Sequence, residues 1–103
     1  MKLPDPIQTY FTATDRNTLA GAFAPHAVVD DEAQTHHGPE EIGAWWQASK
    51  TKYRHHAEPL DLTDVAGKTV VRARVTGDFP GSPAVLTFRF GLTDNRISDL
   101  EIG

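Results

Sequence analysis

The groups in this chain that could do chemistry are few: an Asp30-Asp31-Glu32 run, Tyr10, the adjacent pairs His36-His37 and His55-His56, and Trp45-Trp46. Asp31 is the first candidate. A carboxylate enclosed by Trp45, Trp46 and Phe88 loses hydration, its pKa rises, and it becomes a better general base near neutral pH. Asp30, one residue away in a strand, is expected to point outward. The plainer reading of the run is a solvated loop or a turn cap. Tyr10 carries a phenol that can donate a hydrogen bond to a carbonyl or enolate oxygen; its plainer reading is a core tyrosine whose hydroxyl reaches a backbone carbonyl. Adjacent residues of a strand face opposite sides, so neither histidine pair can chelate as a unit there. No HxH or HExxH spacing exists, and neither a metal nor a cofactor is expected. His36 and His37 suit turn hydrogen bonds, and His56 a polar place on a pocket rim. His37 and His56 are also candidate proton donors.

These groups must be positioned by one core, because 103 residues make a single domain. At this size about two thirds of the unfolded surface is buried, so every element has to share that core. The balance of 10 Lys+Arg against 14 Asp+Glu gives −4, without the basic footprint of a nucleic-acid binder. Zero cysteines exclude disulfides, thiolate metal sites and cysteine catalysis. No apolar run approaches a membrane span or the core of a signal peptide, so a cytoplasmic location is expected.

The chain divides into a helical first half and a strand-like second half, which favours α+β. Asp5-Pro6 opens a first helix, with Asp as N-cap and Pro at the first helical position. Ile7, Tyr10 and Phe11 form its apolar stripe. A short second helix follows Asp15 or Asn17, carries Leu19, Ala22 and Phe23 on one face, and is stopped by Pro25. Ala27 to Val29 reads as a short strand. Gly38-Pro39 opens the third helix. Glu40 and Glu41 in its first turn, with Lys50, Lys52 and Arg54 near its end, suit the helix dipole. Ile42, Trp45, Trp46, Ser49 and Tyr53 make one stripe, so both indoles face one side. They read first as core anchors; either could also wall a ligand site, and Tyr53 could stand at its rim.

Strands are expected at 55–63, 69–76, 84–92 and 96–102, with Pro59 marking a bulge or an edge. Short turns join them into an antiparallel meander, with Pro80-Gly81 suiting a type II turn and Asp94-Asn95 a tight hairpin. Leu86, Phe88, Phe90 and Leu92 share one face. Val71, Ala73 and Val75 oppose Arg72, Arg74 and Thr76. One sheet face is therefore apolar and covered by the third helix. On the other, Arg72, Arg74 and Arg89 can pair with Asp61, Asp99 or Glu101, and that face is either solvated or a polar dimer surface.

The order helix, helix, short strand, helix, antiparallel strands resembles the SnoaL-like branch of the nuclear-transport-factor-2-like superfamily. Four segments carry the resemblance: Phe23-Ala24-Pro25-His26-Ala27-Val28-Val29, Thr35-His36-His37-Gly38-Pro39-Glu40-Glu41-Ile42, Val75 to Pro83, and Ile97-Ser98-Asp99-Leu100-Glu101-Ile102. It covers nearly the whole chain and marks fold more strongly than chemistry. It implies three N-terminal helices in a curved antiparallel sheet, a cone-shaped barrel with an internal pocket, commonly a homodimer through the sheet. It also implies that Asp31 occupies the general-base position of ketosteroid-isomerase-like members, and that Tyr10, five residues before Asp15, matches their tyrosine. Three departures stand out. No Asp or Glu lies between Ala84 and Leu92, so the second carboxylic acid of a ketosteroid isomerase is missing. The Asp–Arg–Asp cluster of limonene-epoxide-hydrolase-like members is not recognisable. The second helix is about a turn short, which should open the pocket mouth.

The expected function is a small-molecule pocket protein for a hydrophobic ligand bearing a carbonyl or hydroxyl, with acid–base isomerisation, cyclisation or dehydration as its chemistry. Asp31 is the base, Tyr10 with His37 or His56 the donors, and Trp45, Trp46, Tyr53, Phe88 and Phe90 the ligand-binding walls. The rival is a non-catalytic binding or dimerisation module of the same fold. No nucleic-acid or membrane partner is expected.

Overall fold

A computed structural model describes residues 1–103. Helix α1 (Asp5–Thr12) starts one residue earlier than Asp5-Pro6 implies: Pro4 is the N-cap and makes no side-chain cap. Helix α2 (Arg16–Gly21) is capped by Asp15, which accepts from the Thr18 backbone N–H at 2.8 Å. It ends before Phe23, which begins strand β1 (Phe23–Asp31) rather than closing the helix. Pro25 therefore lies inside a strand. It is tolerated because β1 has no paired residues between Phe23 and Val28, so no N–H is missed there.

A hairpin that the residue types did not signal follows. Strand β2 (Gln34–His37) folds back on β1 through Glu32 and Ala33, both at positive φ, as a type I′ turn needs. Helix α3 (Gly38–Tyr53) comes next, with Ile42 and Trp46 buried and Arg54 as a left-handed cap. Strands β3 (His56–Val65), β4 (Lys68–Thr76), β5 (Ala84–Thr93) and β6 (Arg96–Ile102) complete the chain.

The six strands form one curved open sheet in the order β2-β1-β6-β5-β4-β3. The last four are the antiparallel meander that the turn residues imply; the β1–β6 pairing is parallel. The helices cover the inner face. The core joins Ile7 and Leu19 of α1 and α2 to Ile42 of α3 and to Phe23, Val29, Val71, Phe90, Ile97 and Leu100 of the sheet, all 2 % exposed or less. Burying side chains of this size stabilises the fold by about 1.5–3 kcal/mol each.

The outer face carries the cross-strand charges. Arg72 faces Asp61, Arg74 faces Glu58 at 3.2 Å, and Arg89 faces Glu101 at 3.6 Å. Lys68 reaches over β5 to Asp99 at 2.5 Å. That reach depends on Gly91, where a Cβ would stand 2.5 Å from Asp99 Oδ2. No helix is long and apolar enough to cross a membrane.

Candidate functional site

The inner face and α3 enclose a cavity of about 440 Å³, lined largely by apolar side chains. Tyr10, Phe11 and Phe88 line it from α1 and β5; Trp45, Trp46 and Tyr53 line it from α3. Helix α2 contributes no lining residue.

Strand parity delivers Asp31 to this cavity. Val29 faces the core, Asp30 faces out and accepts from the Thr35 hydroxyl at 2.6 Å, and Asp31 turns inward again. The Trp45 indole N–H donates to Asp31 Oδ2 at 3.1 Å. Burial raises the Asp31 carboxyl above its ordinary 3.8, and the indole hydrogen bond offsets part of that rise. No cation forms an ion pair with it.

Tyr10 is 9 % exposed, held edge-on against Phe23 and Phe90 at 6.3 and 5.5 Å. Burial, then the negative charge of Asp31, drives its phenol well above 10. It therefore remains a hydrogen-bond donor at any physiological pH. Its side chain is part of the cavity lining.

The histidines are placed differently from expectation. His37 is exposed on the outer side of the β1–β2 hairpin, opposite Val28, and its backbone N–H donates to Glu41 at 2.9 Å. Its neighbour His36 pairs with Val29 and turns inward, with its ring 5.7 Å from that of Trp45. His36 Nε2 is buried and has no partner in the protein. His56 is likewise exposed, opposite Thr76, while His55 lines the cavity. In each pair the first histidine, not the second, is the inward one. His55 is held down to about 4 by burial, then by Lys50 and His56, so it is neutral at pH 7.

Trp45, Trp46, Tyr53 and Phe88 line the cavity; Phe90 does not. Phe90 is fully buried beneath it, stacked on Phe88 at 6.4 Å. At the mouth the Tyr53 hydroxyl donates to Glu32 at 3.3 Å. The sequence reading missed Lys50, whose Nζ donates to the His55 carbonyl at 2.8 Å and lies 5.7 Å from the Trp46 ring. The available signal was spacing, since Lys50 follows Trp46 by one helical repeat of four. No three His, Asp or Glu side chains converge as a metal site requires.

Residues 7–99 match the SnoaL-like domain family. A crystal structure assigned to a polyketide cyclase of Sinorhizobium meliloti is 46 % identical, with TM-score 0.93, covering 98 % of this chain and 95 % of that one. At 18 % identity, two further structures share the fold. One is a protein of Catenulispora acidiphila with a ketosteroid-isomerase-like fold, in complex with trimethylamine, with TM-score 0.83 and coverage of 99 % and 86 %. The other is assigned as an isomerase of the SnoaL-like family from Agrobacterium tumefaciens, with TM-score 0.77 and coverage of 95 % and 92 %. No curated protein matches the chain. Sequence and fold agree, and the chain belongs to the SnoaL-like domain family.

Proposed function

We propose that this SnoaL-like protein is an acid–base catalyst of the cyclase or isomerase type, acting on a small hydrophobic molecule that carries a carbonyl. One observation carries the reading: a half-buried carboxylate in no ion pair and a protonated phenol, both in the lining of one apolar cavity. Asp31 takes a proton from the carbon beside the carbonyl. Tyr10 donates a hydrogen bond to the oxygen as negative charge develops there. The Asp31 acid then returns the proton to another carbon, or the enolate attacks a second carbonyl, a ring closes, and the alkoxide so formed takes the proton back from Asp31. Trp45 holds the carboxylate through its indole and, with Trp46 and Phe88, excludes water. The likeness to proteins assigned as a polyketide cyclase and an isomerase supports the reaction class.

The test is loss of the α-protons of 1-tetralone in heavy water, followed by proton NMR. The wild type accelerates the exchange; Asp31→Asn lowers the acceleration about 10²–10⁴-fold, and Tyr10→Phe lowers it less. Exchange at the wild-type rate in Asp31→Asn removes Asp31 from the role of base. Bound tetralone with no acceleration in the wild type replaces the reading with a non-catalytic binding module.

The outer sheet face, with its charged lattice and the exposed Val85, offers the surface for the homodimer that the fold resemblance implies, while the exposure of its ion pairs supports a face left in solvent. Sedimentation equilibrium decides between them: 11.3 kDa leaves the face in solvent, and twice that mass makes it a homodimer surface.

A further inference from the structure

Three cations stand near the end of α3, and two of them have anions at hand. Arg54 lies 3.9 Å from Asp78. Lys52 stands 5.0 Å from the Tyr53 ring and feels the charge of Glu32. Lys50 differs. It lines the cavity, it is part-buried, and no carboxylate pairs with it. An ammonium has three N–H donors; the one hydrogen bond that Lys50 makes in the protein goes to the His55 carbonyl. Dipole compensation at a helix end asks for no burial, since a lysine in the last turn does that work from solvent. A cation held in an apolar wall with donors to spare is instead a place for an anion.

We propose that Lys50 anchors an anionic group of the ligand, so that the cavity takes amphipathic carboxylic acids whose carbonyl end lies at Asp31. The inference rests on the reading of this cavity as a ligand site. Lys50 stands five positions after Trp45, which holds Asp31; that is about 7.5 Å along the helix axis. The lining thus holds a carboxylate at Asp31 and an ammonium at Lys50 among aromatic rings. His55 sits beside Lys50 in the lining as a neutral ring and adds no repulsion to an ammonium already in place. Burial also presses on Lys50 itself, lowering its pKa below 10.5, a cost that a bound carboxylate would offset.

The test uses two probes of nearly equal shape, 1-naphthaleneacetate and 1-naphthaleneacetamide, titrated into the full chain by calorimetry. The acid should bind about tenfold or more tightly than the amide. Lys50→Met should erase that advantage and leave amide affinity unchanged. Equal affinity of the two probes for the wild type overturns the anchor, as does an undiminished preference in Lys50→Met. Should Lys50→Met lose the amide too, Lys50→Gln keeps a donor for the His55 carbonyl: loss of the preference there supports the anchor, and its retention overturns it. Tetralone exchange separates this inference from the catalytic one. Asp31-dependent exchange with no preference for the acid sinks the anchor alone; no binding of either naphthyl probe sinks the pocket reading and the anchor with it.

Discussion

On the outer face of the sheet each of the four cations of β4 and β5 has a carboxylate across from it; in the inner cavity Asp31 and Lys50 form no ion pair and stand among aromatic rings. The outer pairs sit in solvent, where such a contact is worth about 0–1 kcal/mol. The inner groups are few, but burial has moved the proton affinity of Asp31, Tyr10, Lys50 and His55. The contrast teaches where to look for chemistry in a small α+β domain. Paired charge specifies register and solubility. Unpaired charge in an apolar wall costs stability, and a site is the ordinary reason to carry it.

The strongest way to break the contrast is to weaken each face equally. Phe90 is fully buried against Tyr10 and Phe88. Phe90→Ala should cost about 3–5 kcal/mol, a large share of a total near 5–15. Val85, 52 % exposed on the outer face, should lose no more than about 0.5 kcal/mol in Val85→Ala. Urea unfolding at constant m-value measures both. If Val85→Ala costs as much as Phe90→Ala, the outer face is buried in an assembly and the contrast collapses.

Acid titration sharpens it next. His55 has a folded pKa of about 4 against an ordinary 6.5. Between those values the unfolded chain takes up a proton that folded His55 refuses. Stability is thus fully present above pH 6.5 and falls as pH drops toward 4. Discounted for the half-exposure of the ring, the effect is about 1–2 kcal/mol, and His55→Gln should remove that slope. Asp31 runs the opposite way. Its folded pKa is raised above 3.8, so its contribution is present below 3.8 and lost as pH rises through the folded value. Asp31→Asn should therefore gain on the wild type as pH rises from 3.5 to 7. On the outer face Asp61 is depressed, first by its Arg72 hydrogen bond, so its small contribution is present above 3.8 and lost in acid. Chemical unfolding across pH checks all three slopes; a pH-independent difference for Asp31→Asn would mean that folding leaves its carboxyl unshifted.

Much of this architecture can be read from residue types. Helical stripes place α1 and α3, and Asp94-Asn95 marks its hairpin because both residues accept positive φ. The hairpin at Glu32-Ala33 has the same backbone but no residue that advertises it. Missing it hides strand β2, and without β2 the parity that turns His36 inward and His37 outward has no basis. His56 has a related cause. The strand starts at His56 rather than His55, and the irregularity falls between Pro59 and Asp61, so Glu58 and Leu62 lie on opposite faces. Asp31, Tyr10 and the indoles were legible because their positions follow from elements that the residues do announce. Lys50 was obscured because helix-dipole compensation already explained it, and only the surrounding walls show that its head is not in solvent.

The smallest expected effect tests the outer face by itself. Arg74 and Glu58 are directly opposed on β4 and β3, their closest atoms are 3.2 Å apart, and both side chains are more than half exposed. Water already solvates both charges, and holding two long side chains in one geometry costs rotamer freedom. Arg74→Ala, Glu58→Ala and the double variant should each lie within about 0.5 kcal/mol of the wild type. The double-mutant coupling should shrink further in 0.5 M salt, because exposed pairs are screened. A coupling above about 1 kcal/mol that persists in salt is the mark of a desolvated pair. On this face only a second molecule covering β3 and β4 could exclude the water, so that result would turn the solvated lattice into an interface and carry the dimer with it.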